Sequence, residues 1–511
     1  MSVHLSPLFS DGMVLQRGSA ARLWGRADEP VTVTFVNQTV RAVPDAAGSW
    51  HVTLRDLAPG GPYTLTVNEH TLRDVYVGDV WVLAGQSNMQ LPMGRARHMY
   101  PEEFTRENPN IRQFIVPQRT DFRAPRAELA GGRWAGASQA SLADFSAVGY
   151  FFAKRLYARY KTPVGLLLTA IGGTPIHAWM GRAMLNEFAD LQASADQCAD
   201  DAYVARVQAR DAAETARFFD SIDQTDPGLA GGWHLPAFDD SGWEERPLLA
   251  PWEGSGSVWL RRAVEIPPAL AGKPATLFLG TVTDWDAAYI NGELAGSTVY
   301  RYPPREYAVP SLPQGRCGIA VRVISQNGGR FTHGKQYLLS AGEGAFNLNG
   351  TWRFHRGGHA EPPAPETFFH YKPTGLYNGM IAPLQRFRVR GALWYQGESD
   401  AANPARYAEK LIALINGWRA GWGEAFPFLF VELPHWGEAD WRALRERQWQ
   451  ALSAPRTAMA AAFDLGEHND LHPLGKQVIG DRLARCAMRV AYGEALPPSP
   501  FEITGMRDGA L

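Results

Sequence analysis

Short stretches of alternating or continuous apolar residues dominate the first 75 positions of the chain. They occupy 21–24, 31–36, 50–54 and 63–67, and turns rich in Gly, Pro and Asp separate them. Apolar runs of this length between turn residues are typical of β-strands. The pattern therefore predicts a small N-terminal β-sandwich over residues 1–75.

From residue 79 onward, apolar runs of strand length alternate with longer segments of helical period. This alternation is typical of a parallel sheet with crossover helices, so it predicts the α/β class. The predicted strands lie at 80–84, 111–116, 164–170, 389–395, 428–433 and 459–463. The predicted helices lie at 145–160, 404–418 and 473–492. The last begins with Pro473, and proline suits the first turn of a helix.

A segment rich in Trp, Gly and short β-branched runs interrupts this rhythm between the third and fourth predicted strands. We interpret residues 223–356 as an inserted β-sandwich. The α/β domain is then built from two parts, 76–222 and 357–495, and residues 496–511 form a C-terminal tail.

Composition restricts the partners. The formal net charge of −2 supplies no positive field for nucleic acid or an anionic membrane, so we expect neither as a partner. The three cysteines form no CxxC pair, so we expect no disulfide framework and no thiolate zinc site. The 17 tryptophans suggest either a carbohydrate surface or core packing. Oligomeric state is not predicted.

The N-terminal residues contain no apolar stretch of signal-peptide length, and the longest apolar runs are too short to cross a bilayer. As written, the sequence predicts a cytoplasmic protein, or a secreted or periplasmic one if the chain is a mature form.

Ser87, in the GQSNM segment at 85–89, directly follows the strand at 80–84. Ligands of open α/β sheets bind at the carboxyl ends of strands, where Ser87 would be exposed to substrate. Gly85 permits a sharp turn, and the backbone N–H of Ser87 could face a developing oxyanion. The alternative is an ordinary strand-to-helix turn with a capping serine.

A second polar turn, at 467–473, lies between the last predicted strand and the last predicted helix. His472 there could act as general base towards Ser87, with Asp470 fixing its tautomer. The alternative is a polar loop that only caps the helix.

Two further turns follow strands of the same sheet. Gly173 could supply a backbone N–H and Gln396 a side-chain NH₂, which with the Ser87 N–H would make an oxyanion hole with three donors. Taken singly, such glycines could simply form tight turns.

Four ordered segments resemble the sialate O-acetylesterase-like carbohydrate esterases of the SGNH hydrolase superfamily. They are GQSNM at 85–89, GGTPIHAW at 172–179, WYQGES at 394–399 and DLHP at 470–473. The stretch FSDGMVLQR at 9–17 also looks typical of that family.

The resemblance implies a three-layer, flavodoxin-like SGNH hydrolase sheet. It also implies Ser87 as nucleophile, His472 as base and an oxyanion hole of Ser87, Gly173 and Gln396, with no metal or organic cofactor. Glu398 is expected to orient the Gln396 turn.

The acid of the catalytic triad stands in the wider superfamily three residues before the histidine, where this chain has Asn469. We take Asp470 as the third member. The alternative is a dyad whose His472 is oriented by a backbone carbonyl near Asn469.

The inserted segment resembles the sugar-binding jelly-roll domain of glycoside hydrolase family 2, a galactose-binding-like sandwich. The resembling stretches lie at 238–243, 258–262 and 286–292. The resemblance implies a module that presents glycan, whereas its tryptophans could equally be core residues.

Together with the predicted Ser87 and His472, the resemblance implies a serine esterase that removes acetyl groups from sugar hydroxyls, with sialate 9-O-acetyl esters or acetylated xylan as the substrate. One alternative is a non-catalytic carbohydrate-binding protein on an esterase scaffold. A weaker alternative is a metallohydrolase, since His468 and His472 are four residues apart and flank acidic residues. Against the latter, the chain has no HExxH motif.

Overall fold

The structure is a computed structural model that describes residues 3–503 except 343, 438 and 498. The end of the predicted tail, residues 504–511, lies outside the described part. The chain divides into two compact units, Met1–Asp201 with Phe368–Leu511 as unit 1 and Ala202–Thr367 as unit 2.

The N-terminal part of unit 1 is built of short strands. Their bounds are β1 (His4–Leu5), β2 (Val14–Gln16), β3 (Ala21–Arg26), β4 (Val31–Phe35), β5 (Gln38–Ala42), β6 (Ser49–Leu54) and β7 (Gly60–Val67). Strands β1, β3 and β6 form a separate sheet, whereas β2 and β7 pair with the next strand, β8 (His70–Gly85). The predicted boundary at 75 therefore falls inside β8, which continues from the N-terminal strands into the central sheet.

The central sheet of unit 1 contains six parallel strands and an antiparallel strand at each end. Besides β8, its strands are β9 (Asn108–Ile115), β10 (Trp134–Ala137), β11 (Val164–Leu168), β22 (Gly391–Tyr395), β23 (Phe428–Val431), β24 (Thr457–Ala460) and β25 (Glu502–Ile503). The order is β10-β9-β11-β8-β22-β23-β24-β25. Strand β11 lies between β9 and β8, and the antiparallel β10 pairs with the outer edge of β9.

Helices cover both faces of this sheet. The helices of unit 1 are α1 (Ser87–Gln90), α2 (Ala147–Tyr160), α3 (Ala189–Cys198), α6 (Tyr407–Trp422), α7 (Arg442–Gln450) and α8 (Lys476–Val490). Leu83 and its neighbour in register, Leu393, share one face, and Leu83 points at Gly149 of α2. Because side chains alternate along a strand, Trp394 faces the other way, where its ring meets Trp418 of α6.

Unit 2 is a two-sheet β-sandwich with two helices, α4 (Asp201–Thr225), which starts in the last residue of unit 1, and α5 (Pro227–Ala230). Its strands are β12 (Glu244–Pro247), β13 (Gly256–Ile266), β14 (Ala275–Leu279), β15 (Trp285–Ile290), β16 (Glu293–Thr298), β17 (Glu306–Val309), β18 (Gly315–Ser325), β19 (Tyr337–Ala341), β20 (Gly344–Asn347) and β21 (Thr351–Arg356). Six of them form one antiparallel sheet and four the other. Leu260 and Val321 of the first sheet share a buried core with Leu277 and Leu339 of the second.

Unit 2, Ala202–Thr367, contains the whole of the segment 223–356 that is predicted as an insertion. The 25-residue helix α4 was not predicted from the sequence, and its C-terminal half packs onto the sandwich through Phe218 and Ile222, which cluster with Ile324.

Trp252, in the sandwich, is a core residue with 4% of its surface exposed, and its Nε1 donates to Ser325 Oγ.

Five of the six predicted strands of the α/β part are confirmed within a few residues, and so are the helices α2 and α6. The sixth, predicted at 80–84, is the end of the longer strand β8, which begins at His70. The last helix begins at Lys476 rather than at Pro473, because the preceding residues form the loop that carries His472. Among the described residues, no helix combines the length and the apolar character needed to cross a membrane.

Candidate active site

Ser87 lies where the long strand β8 turns directly into the short helix α1. Gly85, the last residue of β8, has φ +124°, and a Cβ on it would lie 2.1 Å from the carbonyl oxygen of Tyr395 on the neighbouring strand β22. Only glycine permits both this backbone conformation and this approach. Ser87 is the first residue of α1, so its backbone N–H has no acceptor within the helix.

His472 meets Ser87 across 385 positions of sequence. Its Nε2 lies 2.7 Å from Ser87 Oγ, a hydrogen-bond distance. The His472 side chain is buried, whereas Ser87 is half-buried. The loop between β24 and α8 therefore places an imidazole directly on the hydroxyl at the end of β8, which is the arrangement required for proton transfer from a serine nucleophile.

Asp470 contacts His472 mainly through the backbone. Its Oδ1 accepts the backbone N–H of His472 at 2.8 Å, and the same oxygen lies 3.8 Å from the imidazole Nδ1. The second distance is that of an ion pair rather than of a direct hydrogen bond. Asn469 is half-buried in the same loop. The choice between Asp470 and a backbone carbonyl as the group that orients His472 stays a prediction.

The glycine turn after β11 also lies beside Ser87. A Cβ on Gly172 would be 3.5 Å from Ser87 Cβ, and the backbone N–H of Gly172 donates to Gln90 Oε1 at 2.8 Å. Gly173 has φ +74°, and its carbonyl accepts a hydrogen bond from Ser399 Oγ at 2.8 Å. The structure thus brings the second predicted segment next to the serine.

Gln396 lies at the carboxyl end of β22 and is fully buried. Its Nε2 donates to Asp400 Oδ2 at 2.7 Å and to the Thr174 carbonyl at 3.2 Å, and its Oε1 accepts from Tyr407 Oη at 2.8 Å. Both amide hydrogens therefore have protein acceptors. The role of Gln396 as an oxyanion donor stays a prediction, and it requires that one of these two bonds be exchanged.

Asn88 was not predicted as a site residue, although it connects three of the four sequence segments. It follows Ser87 directly, and its Nδ2 donates to Glu398 Oε1 at 2.5 Å and to the carbonyl of Leu471 at 3.1 Å. Leu471 precedes His472, and Glu398 lies two residues after Gln396. The position next to Ser87 was the only sequence signal for this role.

Lys476, the first residue of α8, completes this buried network. Its Nζ donates to Asn88 Oδ1 at 2.5 Å, and the side chain is fully buried. Burial lowers the pKa of Lys476 to about 7, and Glu398 opposes that shift. Burial likewise raises the pKa of Glu398 from its ordinary value, against the hydrogen bond from Asn88.

Sequence reasoning also missed Asp400, which accepts hydrogen bonds from the Gln396 side-chain amide and from the backbone N–H of Ile176.

The two histidines of the metal alternative have different surroundings. His472 faces Ser87, whereas His468 is exposed and lies against Gly437. In the described part of the chain, no three His, Cys, Asp or Glu side chains are grouped in a way that could hold a metal ion.

Comparison with known proteins places this geometry in a family. Residues 77–209 and 365–489 match the family model described as carbohydrate esterase, sialic acid-specific acetylesterase. These two segments make up half of the chain, and they carry all four segments of the site.

Individual relatives agree with this match. The chain is 25% identical to a sialate O-acetylesterase of Rattus norvegicus over 94% of this chain and 72% of the rat protein. It is 30% identical to the Homo sapiens sialate O-acetylesterase over 34% of this chain and 38% of the human one. The crystal structure of a carbohydrate acetylesterase from Xanthomonas citri superposes with a TM-score of 0.59 at 26% identity, over 97% of this chain and 77% of that chain. The chain therefore belongs to the sialic acid-specific acetylesterase family of carbohydrate esterases, and it is a carboxylic ester hydrolase.

Proposed function

We propose that the protein is a serine O-acetylesterase that removes acetyl groups from sugar hydroxyls through an acyl-enzyme. The observation that carries the proposal is the 2.7 Å contact between Ser87 Oγ and His472 Nε2. Membership of an acetylesterase family supports acetyl as the acyl group that is removed, and the names of the relatives support a carbohydrate as the substrate that carries it.

In the first step, His472 Nε2 takes the proton of Ser87 while the serine oxygen attacks the acetyl carbonyl carbon. The bond between the acetyl carbonyl carbon and the sugar oxygen then breaks, and the imidazolium gives its proton to the departing sugar oxygen. In the second step, His472 deprotonates a water molecule that attacks the acetyl-serine ester. Acetate leaves and Ser87 regains its hydrogen.

The backbone N–H groups of Ser87 and Gly173 stabilise the tetrahedral oxyanion in this proposal. Gln396 joins them by exchanging its hydrogen bond to the Thr174 carbonyl, which is the longer of its two. Asp470 favours the imidazolium form of His472 by its negative charge, and Glu398 supports the turn through Asn88.

We also propose that unit 1 has the SGNH hydrolase arrangement and that the sandwich of unit 2 is a jelly roll. The predicted domain division at 75, 222, 356 and 495 stays part of this proposal. The substrate is an acetylated glycan, either a sialate ester or acetylated xylan.

The test is acetate release from p-nitrophenyl acetate, acetylated xylan and 9-O-acetylated sialate by the parent, Ser87→Ala and His472→Ala. We expect both variants to lose activity by several orders of magnitude on every ester that the parent cleaves. His468→Ala is the matched control, because it removes an exposed histidine four residues from His472, and we expect it to retain the activity on p-nitrophenyl acetate.

Retention of activity by Ser87→Ala would refute the serine mechanism. A loss in His468→Ala as large as in His472→Ala, with dependence on added zinc, would favour the metal alternative. Glycan binding without acetate release by the parent would favour the binding protein.

A further inference from the structure

A cavity of about 460 Å³ lies in unit 1 beyond the carboxyl end of β23. Described residues between Pro434 and Arg445 line it, among them two tryptophans and two arginines. Its volume falls within the roughly 300–1,000 Å³ typical of small-molecule sites. The mechanism proposed above uses none of these side chains.

Hydrogen bonds connect the segment around the cavity with two parts of the candidate active site, the loop before His472 and the turn at Gln396. On one side, the backbone N–H of Gly437 donates to the carbonyl of His468 at 3.2 Å, in the loop that leads to His472. On the other side, the buried Gln448 accepts the backbone N–H of Leu433 at 3.0 Å and donates to the backbone carbonyl of Gln396 at 3.2 Å.

The strand order places the segment that lines the cavity after a strand two positions away from β8 in the same sheet. Strand β22 lies between β8, which ends at the Ser87 turn, and β23, which leads to the cavity. Two strand spacings correspond to about 10 Å. A glycan that extends from Ser87 across the end of β22 along this edge of the sheet runs towards the segment that lines the cavity.

The cavity contains an aromatic pair. The rings of Trp436 and Trp441 have their centroids 5.5 Å apart and an interplanar angle of 39°. Trp441 is buried, whereas Trp436 is half-buried, so part of its ring remains open to the cavity. Aromatic faces of this kind take up the apolar C–H face of a sugar ring while the ring hydroxyls stay available for polar contacts.

One of the two arginines beside the rings, Arg442, is paired with a carboxylate. Arg442 donates from Nε and Nη2 to both oxygens of Asp440 at 2.6–3.0 Å, and this fork lowers the pKa of Asp440 to about 2. Burial raises the pKa of Glu432, and the positive charge of Arg445 opposes that shift. A guanidinium paired in the way of Arg442 suits hydroxyls, whereas the carboxylate of an acidic sugar is best held by an unmatched guanidinium.

We propose that this cavity is a subsite for a neutral pyranose ring of the substrate glycan, held by Trp436 and Trp441 with its hydroxyls at the Asp440–Arg442 pair. The inference deepens the proposed function and rests on it for the position of the acetyl ester. It makes Trp436 a determinant of glycan affinity rather than a catalytic residue.

The first experiment measures binding without catalysis. The Ser87→Ala protein is titrated with xylotetraose, cellotetraose and mannotetraose, and with N-acetylneuraminic acid, by calorimetry and tryptophan fluorescence. We expect at least one neutral tetrasaccharide to bind with a change in fluorescence and to bind about tenfold more weakly after a second change, Trp436→Ala. Binding of N-acetylneuraminic acid alone, or of none of the sugars, would overturn the proposal.

The second experiment compares two esters in proteins that retain Ser87. In Trp436→Ala we expect KM for acetylated xylo-oligosaccharides to rise about tenfold with kcat little changed. Turnover of p-nitrophenyl acetate, which has no sugar ring, should stay within twofold. Trp436→Phe is the matched control, since it keeps an aromatic face and should recover most of the affinity. Equal losses on both esters would show a structural role for Trp436 and would refute the subsite.

These experiments separate the two proposals. If the parent cleaves no ester, the proposed function fails, and the titration of the Ser87→Ala protein still decides whether the cavity binds a neutral sugar.

Discussion

The carboxamide oxygen of Asn88 accepts a hydrogen bond of 2.5 Å from Nζ of Lys476. The amide nitrogen of the same side chain binds Glu398 and the carbonyl that precedes His472. One buried asparagine therefore connects the end of β8, the turn after β22 and the loop before α8, and the relative position of Ser87 and His472 depends on it.

Replacing Asn88 by alanine should impair catalysis more than substrate binding. The change breaks three hydrogen bonds, one with the fully buried Lys476 and two with the half-buried Glu398 and Leu471. A hydrogen bond whose buried partner is left unsatisfied is worth about 1–3 kcal/mol. We expect kcat on p-nitrophenyl acetate to fall about 100-fold and KM to change little. Asn110→Ala is the control, because that asparagine donates to Tyr157 in another part of unit 1. A kcat within twofold of the parent in Asn88→Ala would refute the positioning role.

Lys476 should make stability depend on pH above neutrality. Its pKa is about 7 in the folded protein and 10.5 as the ordinary value, so between these pH values the unfolded chain binds more protons than the folded one. Stability contributed by this group is therefore lowest below pH 7 and rises as the pH increases towards 10.5.

In Lys476→Met this rise should disappear. The difference in unfolding free energy, parent minus variant, should increase by up to about 1.4 kcal/mol per pH unit over that window. Urea unfolding at pH 6, 7, 8, 9 and 10 measures the difference. Parallel curves for the two proteins would show that Lys476 does not titrate there.

Substitutions at Asp470 distinguish its charge from its backbone contact. Asp470→Asn keeps an oxygen that can accept the His472 backbone N–H but removes the negative charge, whereas Asp470→Ala removes both. If Asp470 is the third catalytic member, both changes should lower kcat at least about tenfold, because the imidazolium loses a charge partner. Asn469→Ala is the control, since it leaves the backbone carbonyl in place. Full activity of Asp470→Asn would support the dyad with a backbone carbonyl instead.

Gly85→Ala should destabilise the protein and remove activity. The new Cβ would lie 2.1 Å from the carbonyl oxygen of Tyr395, at a φ of +124° that alanine rarely adopts, so β8 and β22 would have to separate. We expect a loss of several kcal/mol, measured by urea unfolding. Gly475→Ala is the matched control, because its φ is −67° and a Cβ there meets nothing within 4 Å. Equal stability of the two variants would contradict this reading of the turn.

Local patterns in the sequence predicted most elements of unit 1 and named the candidates Ser87 and His472, which the structure brings into contact. Ser87, Gly173, Gln396 and His472 could be named because each follows a predicted strand, and parallel strands bring their carboxyl ends to one edge of a sheet. The helix α4 could not be predicted in the same way, since it is rich in Ala and charged residues and its apolar positions pack onto the sandwich only in the folded unit.

The sequence by itself determined which residue types stand at the strand ends, because side-chain period and glycine position are properties of the local chain. Only the tertiary structure decided how those ends are connected. Asn88, Lys476, Asp400 and Gln448 act on residues in other segments through hydrogen bonds. Such long-range pairing depends on strand order and on the loop before α8, and it leaves no periodic signal in the chain.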